Sequence, residues 1–156
     1  SQRVIDVIKK GITLKQSEES VRFAKEAGLE VECYFMLALP TETREDVLKS
    51  IAFAKKLNPD YVKFAIMLPF PGTEIFDEMM KNKRIKSWRW QDYKFSGPRN
   101  VYEHDNLSWD EIEYFYGKSH RDFYFRPGYL MKSIYRSIMT GQLLPHLEAF
   151  FKTEWF

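Results

Sequence analysis

The fold is decided by residues 31–73, which read VECYFMLALP TETREDVLKS IAFAKKLNPD YVKFAIMLPF PGT. Two nearly continuous apolar runs, residues 31–39 and 61–68, flank a segment with helical periodicity. Apolar runs of this kind are typical of parallel strands that are buried on both faces. The strands start about 30 residues apart, which is the spacing of a right-handed strand–helix–strand crossover. The segment therefore predicts two parallel strands joined by a helix.

Capping boxes predict where several helices begin, because a hydroxyl side chain and a carboxyl or amide three positions later satisfy free backbone N–H groups. The pairs are Thr13 with Gln16, Thr43 with Asp46, and Ser108 with Glu111. The helices that follow are predicted to end at Gly28, near Leu57 and near Phe125, and others are predicted over residues 1–10, 74–81, 129–140 and 142–152. The alternation of helices and strands indicates an α/β architecture.

Two parallel strands cannot close a core alone, and both edges of such a sheet would expose unpaired backbone groups. We therefore expect further strands before residue 1, or a partner that pairs with the edges. The composition also changes near Lys81, since residues 1–80 carry 8 aromatic side chains and residues 81–156 carry 18. This divides the chain into an α/β unit, residues 1–81, and an aromatic-rich, mostly helical extension, residues 82–156.

The overall composition limits the possible classes. With 44% hydrophobic and 29% charged residues, the 156-residue chain is not of the disordered kind. No signal peptide and no membrane-spanning run is visible, and the single cysteine, Cys33, cannot form a disulfide within the chain. These features predict a cytoplasmic protein without a transmembrane segment. One cysteine also cannot hold an iron–sulfur cluster, because such clusters need several thiolate ligands.

Candidate ligand-binding loops follow the two predicted strands. They are Leu39-Pro-Thr-Glu-Thr43 and Leu68-Pro-Phe-Pro-Gly-Thr73. Ligands of parallel α/β folds bind at the carboxyl ends of the strands, where helix N-termini offer free N–H groups. The alternative is that proline and glycine only shape these turns.

Several short motifs occur in a fixed order along the first half of the chain. They are Ser1-Gln-Arg-Val-Ile-Asp6, Lys9-Lys-Gly-Ile-Thr13, Ala27-Gly28, Phe35-Met-Leu-Ala-Leu-Pro-Thr-Glu-Thr-Arg-Glu-Asp46, Asn58-Pro-Asp60 and Pro69-Phe-Pro-Gly-Thr73. In this order and at this spacing they resemble the radical S-adenosylmethionine enzymes, in particular the branch that carries an N-terminal cobalamin-binding domain. The resemblance spans residues 1 to about 77.

The resemblance implies that the chain is the C-terminal part of a partial (β/α)6 barrel, a TIM-like α/β fold, followed by a helical extension. It implies S-adenosylmethionine as a cofactor, with a 4Fe-4S cluster and cobalamin that are both bound by residues outside this chain. The parent enzyme would be a methyltransferase, or an oxidoreductase acting on another C–H bond, with a small or lipid-like substrate. The chain alone would not be catalytic.

The resemblance also assigns residues to the cofactor, and it assigns neither a catalytic residue nor a metal ligand to this chain. Ser1 would belong to the segment that faces the ribose, and Lys10 would approach the methionine carboxylate. The adenosine would be flanked by Ala38, Leu39, Leu68 and Pro69.

Two positions depart from the family pattern, because Ala38 and Thr41 stand where glycine is usual. We therefore expect the backbone there to be less free to approach the cofactor or to adopt a positive φ. Other residues have simpler interpretations: Cys33 as a buried strand side chain, and Glu42 and Glu45 as partners of the helix dipole. The three histidines lack the spacing of metal ligands and are expected in the core or in solvent: His104, His120 and His146.

The aromatic extension has three interpretations. Tyr114-Phe-Tyr116, Phe123-Tyr-Phe125 and Phe150-Phe151 fit helix faces that pack on a barrel. A substrate lid is the second interpretation. The third is contact with nucleic acid through Trp88-Arg-Trp90 and Arg121-Asp-Phe-Tyr-Phe-Arg126, although a net charge of +4 over residues 81–156 is too small to favour it strongly.

Three functions therefore remain open. The first is part of a radical S-adenosylmethionine enzyme with a small or lipid-like substrate, and the second is an RNA-modifying member of the same superfamily. The third is a non-catalytic binding or assembly module that forms oligomers through its open sheet edges.

Overall fold

The structure, a computed structural model, describes residues 1–94, 97–141, 144, 145 and 148. The elements in chain order are helix α1 (Gln2–Val7), helix α2 (Leu14–Glu26), strand β1 (Glu32–Leu37), helix α3 (Arg44–Leu57), strand β2 (Tyr61–Ile66), helix α4 (Glu74–Lys81), helix α5 (Trp109–Tyr124) and helix α6 (Pro127–Met139). A short 3-10 turn, Trp90–Asp92, lies between α4 and α5. The predicted α/β order is confirmed.

Strands β1 and β2 form a parallel pair, with Glu32 opposite Tyr61 and Leu37 opposite Ile66. Helix α3 covers one face of this sheet with the predicted residues Val47, Ile51 and Ala54, all of which are buried. Their spacing follows the 3.6-residue period of a helix, which predicted that they lie on one face of α3. The two strands and α3 are thus the strand–helix–strand unit that the sequence predicted.

The prediction that both strand faces are buried is wrong for the described residues. Tyr34 is 71% exposed, and Met36, Tyr61 and Lys63 are also exposed. Side chains alternate along a strand, so the polar residues of both strands, including Glu32, fall on this one face. We refer to it as the open face. It is the face opposite α3.

The predicted helix starts are confirmed, since all three capping boxes have both of their hydrogen bonds. Helix α6 was predicted to start at Tyr129, but it starts at Pro127, so the proline begins the helix and does not separate it from α5. Proline fits the first helical turn, where its missing N–H would have no partner. Most of the predicted helix over residues 142–152, with His146 and Phe150-Phe151, lies outside the described residues.

Helix α5 joins the same core as α3. Phe115 and Phe123 are buried against the sheet, and the Tyr124 hydroxyl accepts a hydrogen bond from the backbone N–H of Val62 at 3.1 Å. This part of the aromatic packing prediction is confirmed, whereas Tyr114 and Phe125 are exposed. Within the described part of the chain, no helix is long and apolar enough to cross a membrane.

Candidate functional site

The two predicted loops lie side by side, because they leave neighbouring parallel strands at the same edge. The N–H of Met67 donates to the carbonyl oxygen of Leu37 at 2.8 Å, which extends the strand pairing to the start of the second loop. A cavity of about 270 Å³ lies between Pro40 on the first loop and Thr73 on the second. The structure therefore brings the two candidate loops together.

Helix α1 packs against these loops. Val4 is buried and Ile8 is partly buried, in a cluster that contains Leu39, Met67 and Leu68. Just after the helix, the Lys9 ammonium lies 2.7 Å from the carboxylate of Glu74, at the start of α4, in an exposed ion pair across the cavity. The segment that contains Ser1 and Lys10 is thus held at the carboxyl ends of the strands.

The first loop contains two non-glycine residues in the left-handed region. Ala38 has a φ of 58° and Thr41 has a φ of 61°. We expected these residues to be less free to adopt a positive φ, and both nevertheless adopt it. A side chain in this region costs roughly 1–2 kcal/mol, so the surrounding contacts must offset the strain. Glycine would take the same backbone shape without this cost.

Contacts from α1 and from the segment just before α5 hold the strained loop. The Arg3 guanidinium donates to the backbone oxygen of Thr41 at 2.9 Å and pairs with the buried Asp46 carboxylate. Burial opposes the charge of Asp46, but hydrogen bonds from Arg3 and Thr43 hold its pKa well below the usual range. The loop and the start of α3 are therefore fastened to α1.

A segment just before α5 fastens the loop from the other side. The His104 imidazole lies with Nε2 2.8 Å from the backbone oxygen of Leu39, and its Nδ1 accepts the N–H of Leu107 at 3.1 Å. Because Nδ1 accepts, Nε2 carries the proton and donates to Leu39. Asn106 donates to the backbone oxygen of Thr41 at 3.0 Å. Burial lowers the pKa of His104, which favours this neutral form.

Tyr102, in the same segment, supports the second loop. Its side chain is fully buried, and its hydroxyl donates to the backbone oxygen of Met67 at 3.0 Å. Trp109 in turn donates its indole N–H to the backbone oxygen of Tyr102 at 2.8 Å. Sequence reasoning did not identify these contacts, because the segment shows neither helical nor strand periodicity.

Glu42 is the most unusual ionisable group at the site. It is only 1% exposed, and its carboxylate accepts a hydrogen bond from the N–H of Leu39 at 3.1 Å. Burial raises its pKa to about 7. The helix-dipole interpretation fits Glu45, which is exposed in the first turn of α3. Glu42 instead folds back on its own loop and lies before the first turn of the helix.

A larger cavity of about 580 Å³ runs from this loop along β1, between the strand and helices α1 and α2. Three of the residues assigned to the cofactor, Ser1, Lys10 and Leu39, line it together with Glu42. The other three assigned residues do not line it, and their side chains are buried: Ala38, Leu68 and Pro69.

The remaining predicted residues are placed elsewhere. Cys33 lies in β1 and is only partly buried, and burial raises the pKa of its thiol. The His120 ring packs against Phe64 and Tyr116. No group of three or more His, Cys, Asp or Glu among the described residues is arranged to hold a metal ion. The described residues therefore do not provide the set of ligands that an iron–sulfur cluster needs.

Comparison with known proteins gives the chain relatives among enzymes. It is 36% identical over 135 residues to an uncharacterized methyltransferase of Pyrococcus horikoshii, a match that covers 86% of this chain and 29% of that protein. It is 26% identical over 98 residues to the anaerobic magnesium-protoporphyrin IX monomethyl ester cyclase of Rubrivivax gelatinosus, covering 63% of this chain and 17% of the cyclase. A putative methylthiotransferase of Methanocaldococcus jannaschii is 32% identical over 77 residues, covering 49% and 17%.

No family model matches the chain. A methyltransferase, a cyclase and a putative methylthiotransferase are a set that fits the radical S-adenosylmethionine superfamily that the motifs resemble. The chain spans less than a third of the length of each of these three relatives.

Proposed function

We propose that this chain is the cofactor-flanking part of a larger radical S-adenosylmethionine enzyme, which methylates or otherwise transforms a C–H bond of its substrate. One observation carries the proposal. In the loop after β1, Ala38 and Thr41 both adopt a positive φ, and both stand at positions where the family that the motifs resemble usually has glycine. A strained shape is kept only where surrounding structure enforces it, and such positions cluster at functional sites.

The cavity beside this loop supports the assignment of S-adenosylmethionine. Its volume of about 580 Å³ lies within the usual range for small-molecule sites. Most of its lining is apolar, which suits a nucleoside, and the exposed Lys10 adds a positive charge for a carboxylate. In this proposal Lys10 orients the methionine end of the cofactor, while Ser1 and Leu39 border the nucleoside.

The cluster and cobalamin belong to other parts of the enzyme in this proposal. Radical chemistry would be supplied by a 4Fe-4S cluster outside this chain, since the single cysteine lies in β1 and cannot provide the ligands. The role of this chain is to hold one wall of the cofactor site. The hydrogen bonds from Tyr102 to Met67 and from His104 to Leu39 keep that wall in position.

The exposed segment around Trp88 and Trp90 favours a second candidate, modification of RNA. Both indoles are about two-thirds exposed, at 64% and 66%, and Arg89 between them is exposed too. The Trp90 ring stacks on Tyr93 with 5.3 Å between the ring centroids. Exposed aromatic rings beside arginine can stack on unpaired bases. Salt-dependent binding of transfer RNA that is lost in Trp90→Ala would support this candidate, and unchanged binding would remove it.

The proposed function is tested by binding of S-adenosylmethionine to the full reading frame that contains this chain, purified without oxygen. We expect Lys10→Ala to weaken binding by about tenfold, since a lost charge contact is worth about 1.4 kcal/mol or more. Lys15→Ala is the matched control, because Lys15 is exposed on α2 and does not line the cavity. Equal affinity in both variants would contradict the assignment.

A further inference from the structure

Three aromatic side chains form a cluster beside the second candidate loop. Phe70 belongs to this loop, and its ring centroid lies 6.2 Å from those of both Trp90 and Tyr93. The Trp90 and Tyr93 rings are stacked, with an angle of 23° between their planes. We refer to Phe70, Trp90 and Tyr93 as the aromatic platform. Two rings support the indole of Trp90 although 66% of this residue is exposed, so the platform presents one large flat ring to solvent.

The aromatic platform lies at the edge of the sheet where the cofactor site is proposed. Phe70 and Tyr93 pack on the buried cluster that contains Leu39 and Leu68, one residue from each candidate loop. Ligands of parallel α/β folds bind at this carboxyl edge of the sheet. The exposed indole therefore lies on the side from which a substrate approaches the proposed cofactor site.

Hydrogen bonds within residues 87–93 hold the platform in place. The Ser87 hydroxyl donates to the Asp92 carboxylate and accepts the backbone N–H of Arg89 at 3.1 Å. The Tyr93 hydroxyl donates to the backbone oxygen of Ser87 at 3.4 Å. A ring that is already held in position loses little conformational entropy when a ligand stacks on it, which favours binding.

The platform lies in a strongly basic stretch of the chain. Residues 81–94 carry six basic side chains and one acidic side chain, a net charge of +5 in a chain whose total is +2. Arg84 and Lys86 are paired with acidic side chains of the segment before α5. Arg89 and Lys94 are exposed, and neither forms an ion pair within the part of the chain that the structure describes. These two cations are therefore available to an anionic ligand that stacks on the platform.

We infer that the aromatic platform binds the substrate of the parent enzyme, and that this substrate is a flat unsaturated ring that carries an anionic group. The ring stacks on Trp90, and the anionic group binds Arg89 and Lys94. Arginine suits this role, because its planar guanidinium combines a permanent charge with several N–H donors in a fixed geometry. The inference rests on the proposed function, because it places the substrate beside the proposed cofactor site.

The cofactor itself fits the platform less well than a substrate does. The 580 Å³ cavity assigned to S-adenosylmethionine is lined by Ser1, Lys10 and Leu39 and by no residue of the platform. The platform therefore offers a binding surface outside the cavity that the cofactor occupies in the proposed function.

A strand of nucleic acid also fits less well. Proteins that bind single strands stack several successive bases on aromatic side chains along a basic groove. In the platform, Phe70 and Tyr93 are partly buried, so the indole of Trp90 is its one largely exposed ring. Trp88 is exposed too, but it packs on Phe76 of α4 and is not part of the platform. A surface for one ring favours a small substrate.

Binding of 1-pyrenebutyrate to the full reading frame, purified without oxygen, tests the stacking surface. We expect Trp90→Ala to weaken binding by about tenfold, because loss of one stacking side chain typically weakens binding by roughly 5- to 150-fold. Trp88→Ala is the matched control and should leave binding unchanged, since Trp88 is 64% exposed but contacts Phe76. Trp90→Ala should also keep its affinity for S-adenosylmethionine, which shows that the variant is folded.

A second probe tests recognition of the charge. 1-Pyrenebutanol has the same ring without the carboxylate, and we expect the unmodified protein to bind it about fivefold more weakly than 1-pyrenebutyrate. Arg89→Gln combined with Lys94→Gln should remove this preference without changing the binding of 1-pyrenebutanol. Lys15→Gln, on an exposed position of α2, is the control and should keep the preference.

Four outcomes would overturn the inference: no binding of either probe, equal binding of both probes, equal effects of Trp88→Ala and Trp90→Ala, or a loss of S-adenosylmethionine affinity in Trp90→Ala. The last outcome would assign the platform to the cofactor. Transfer RNA that binds through Trp90 to a protein that binds neither probe would assign it to RNA.

Cluster content and cofactor affinity of the unmodified protein, measured on the same samples, separate this inference from the proposed function. If the cluster is present and S-adenosylmethionine binds, any of these outcomes overturns the substrate class alone. If the protein contains no cluster, the proposed function fails, and the substrate class fails with it.

Discussion

Replacing Glu42 by glutamine should change the dependence of stability on pH in a defined direction. Glu42 is buried, and its pKa is about 7 compared with an ordinary value of 4.5. Below pH 4.5 the carboxyl group is protonated in both the folded and the unfolded chain. Between pH 4.5 and 7 it ionises only in the unfolded chain, so the free energy of unfolding falls as the pH rises. Above pH 7 the loss is complete.

The size of this loss follows from the difference between the two pKa values. One pKa unit corresponds to about 1.4 kcal/mol, so Glu42 should lower the free energy of unfolding by ~3 kcal/mol at pH 8 relative to pH 4.5. Glutamine cannot ionise, and its amide oxygen can still accept the N–H of Leu39. The free energy of unfolding of Glu42→Gln, minus that of the natural chain, should therefore increase by ~3 kcal/mol from pH 4.5 to pH 8.

Urea denaturation at several pH values, followed by tryptophan fluorescence, measures this difference. The control is Glu45→Gln, because Glu45 is exposed and forms a surface pair with Lys49. Surface pairs contribute about 0–1 kcal/mol, so the control should show little change across the same pH range. If the stability difference between Glu42→Gln and the natural chain is the same at pH 4.5 and pH 8, the account of Glu42 is wrong.

The same denaturation assay tests four further residues at one pH. Ala38→Gly should raise the free energy of unfolding by about 0.5–1 kcal/mol, because it relieves a positive φ, whereas Ala54→Gly inside α3 should lower it by at least about 1 kcal/mol. Ser108→Ala should lower it by about 1 kcal/mol through loss of the α5 cap. Tyr102→Phe should lower it by about 1–3 kcal/mol, because the buried oxygen of Met67 loses its donor. A change of opposite sign in any of these variants contradicts the corresponding contact.

Local patterns predicted the elements well. The capping boxes at Thr13, Thr43 and Ser108 are local signals, and each helix begins where its box predicts. The buried residues of α3 follow equally from periodicity. The open face was mispredicted because the apolar run was given more weight than the period-two placement of Glu32 and Lys63.

Contacts between distant segments could not be predicted in the same way. Glu42 is buried, and His104 donates to Leu39 at 2.8 Å although 65 positions separate the two residues. No pattern within either segment encodes that contact. The sequence did contain a signal for the positive φ at Ala38 and Thr41, because the family that the motifs resemble usually has glycine at both positions. We expected these two residues to be less free to adopt a positive φ. The structure instead shows that both adopt it, and that neighbouring contacts hold the strained backbone.

In the proposed function, this chain forms one wall of the cofactor site of a radical S-adenosylmethionine enzyme. Electron paramagnetic resonance tests it most directly on the full reading frame, purified without oxygen and reduced, before and after S-adenosylmethionine is added. The account predicts the signal of a reduced 4Fe-4S cluster that changes when the cofactor binds. A full-length protein that contains no cluster, or a cluster whose signal S-adenosylmethionine leaves unchanged, would contradict the claim.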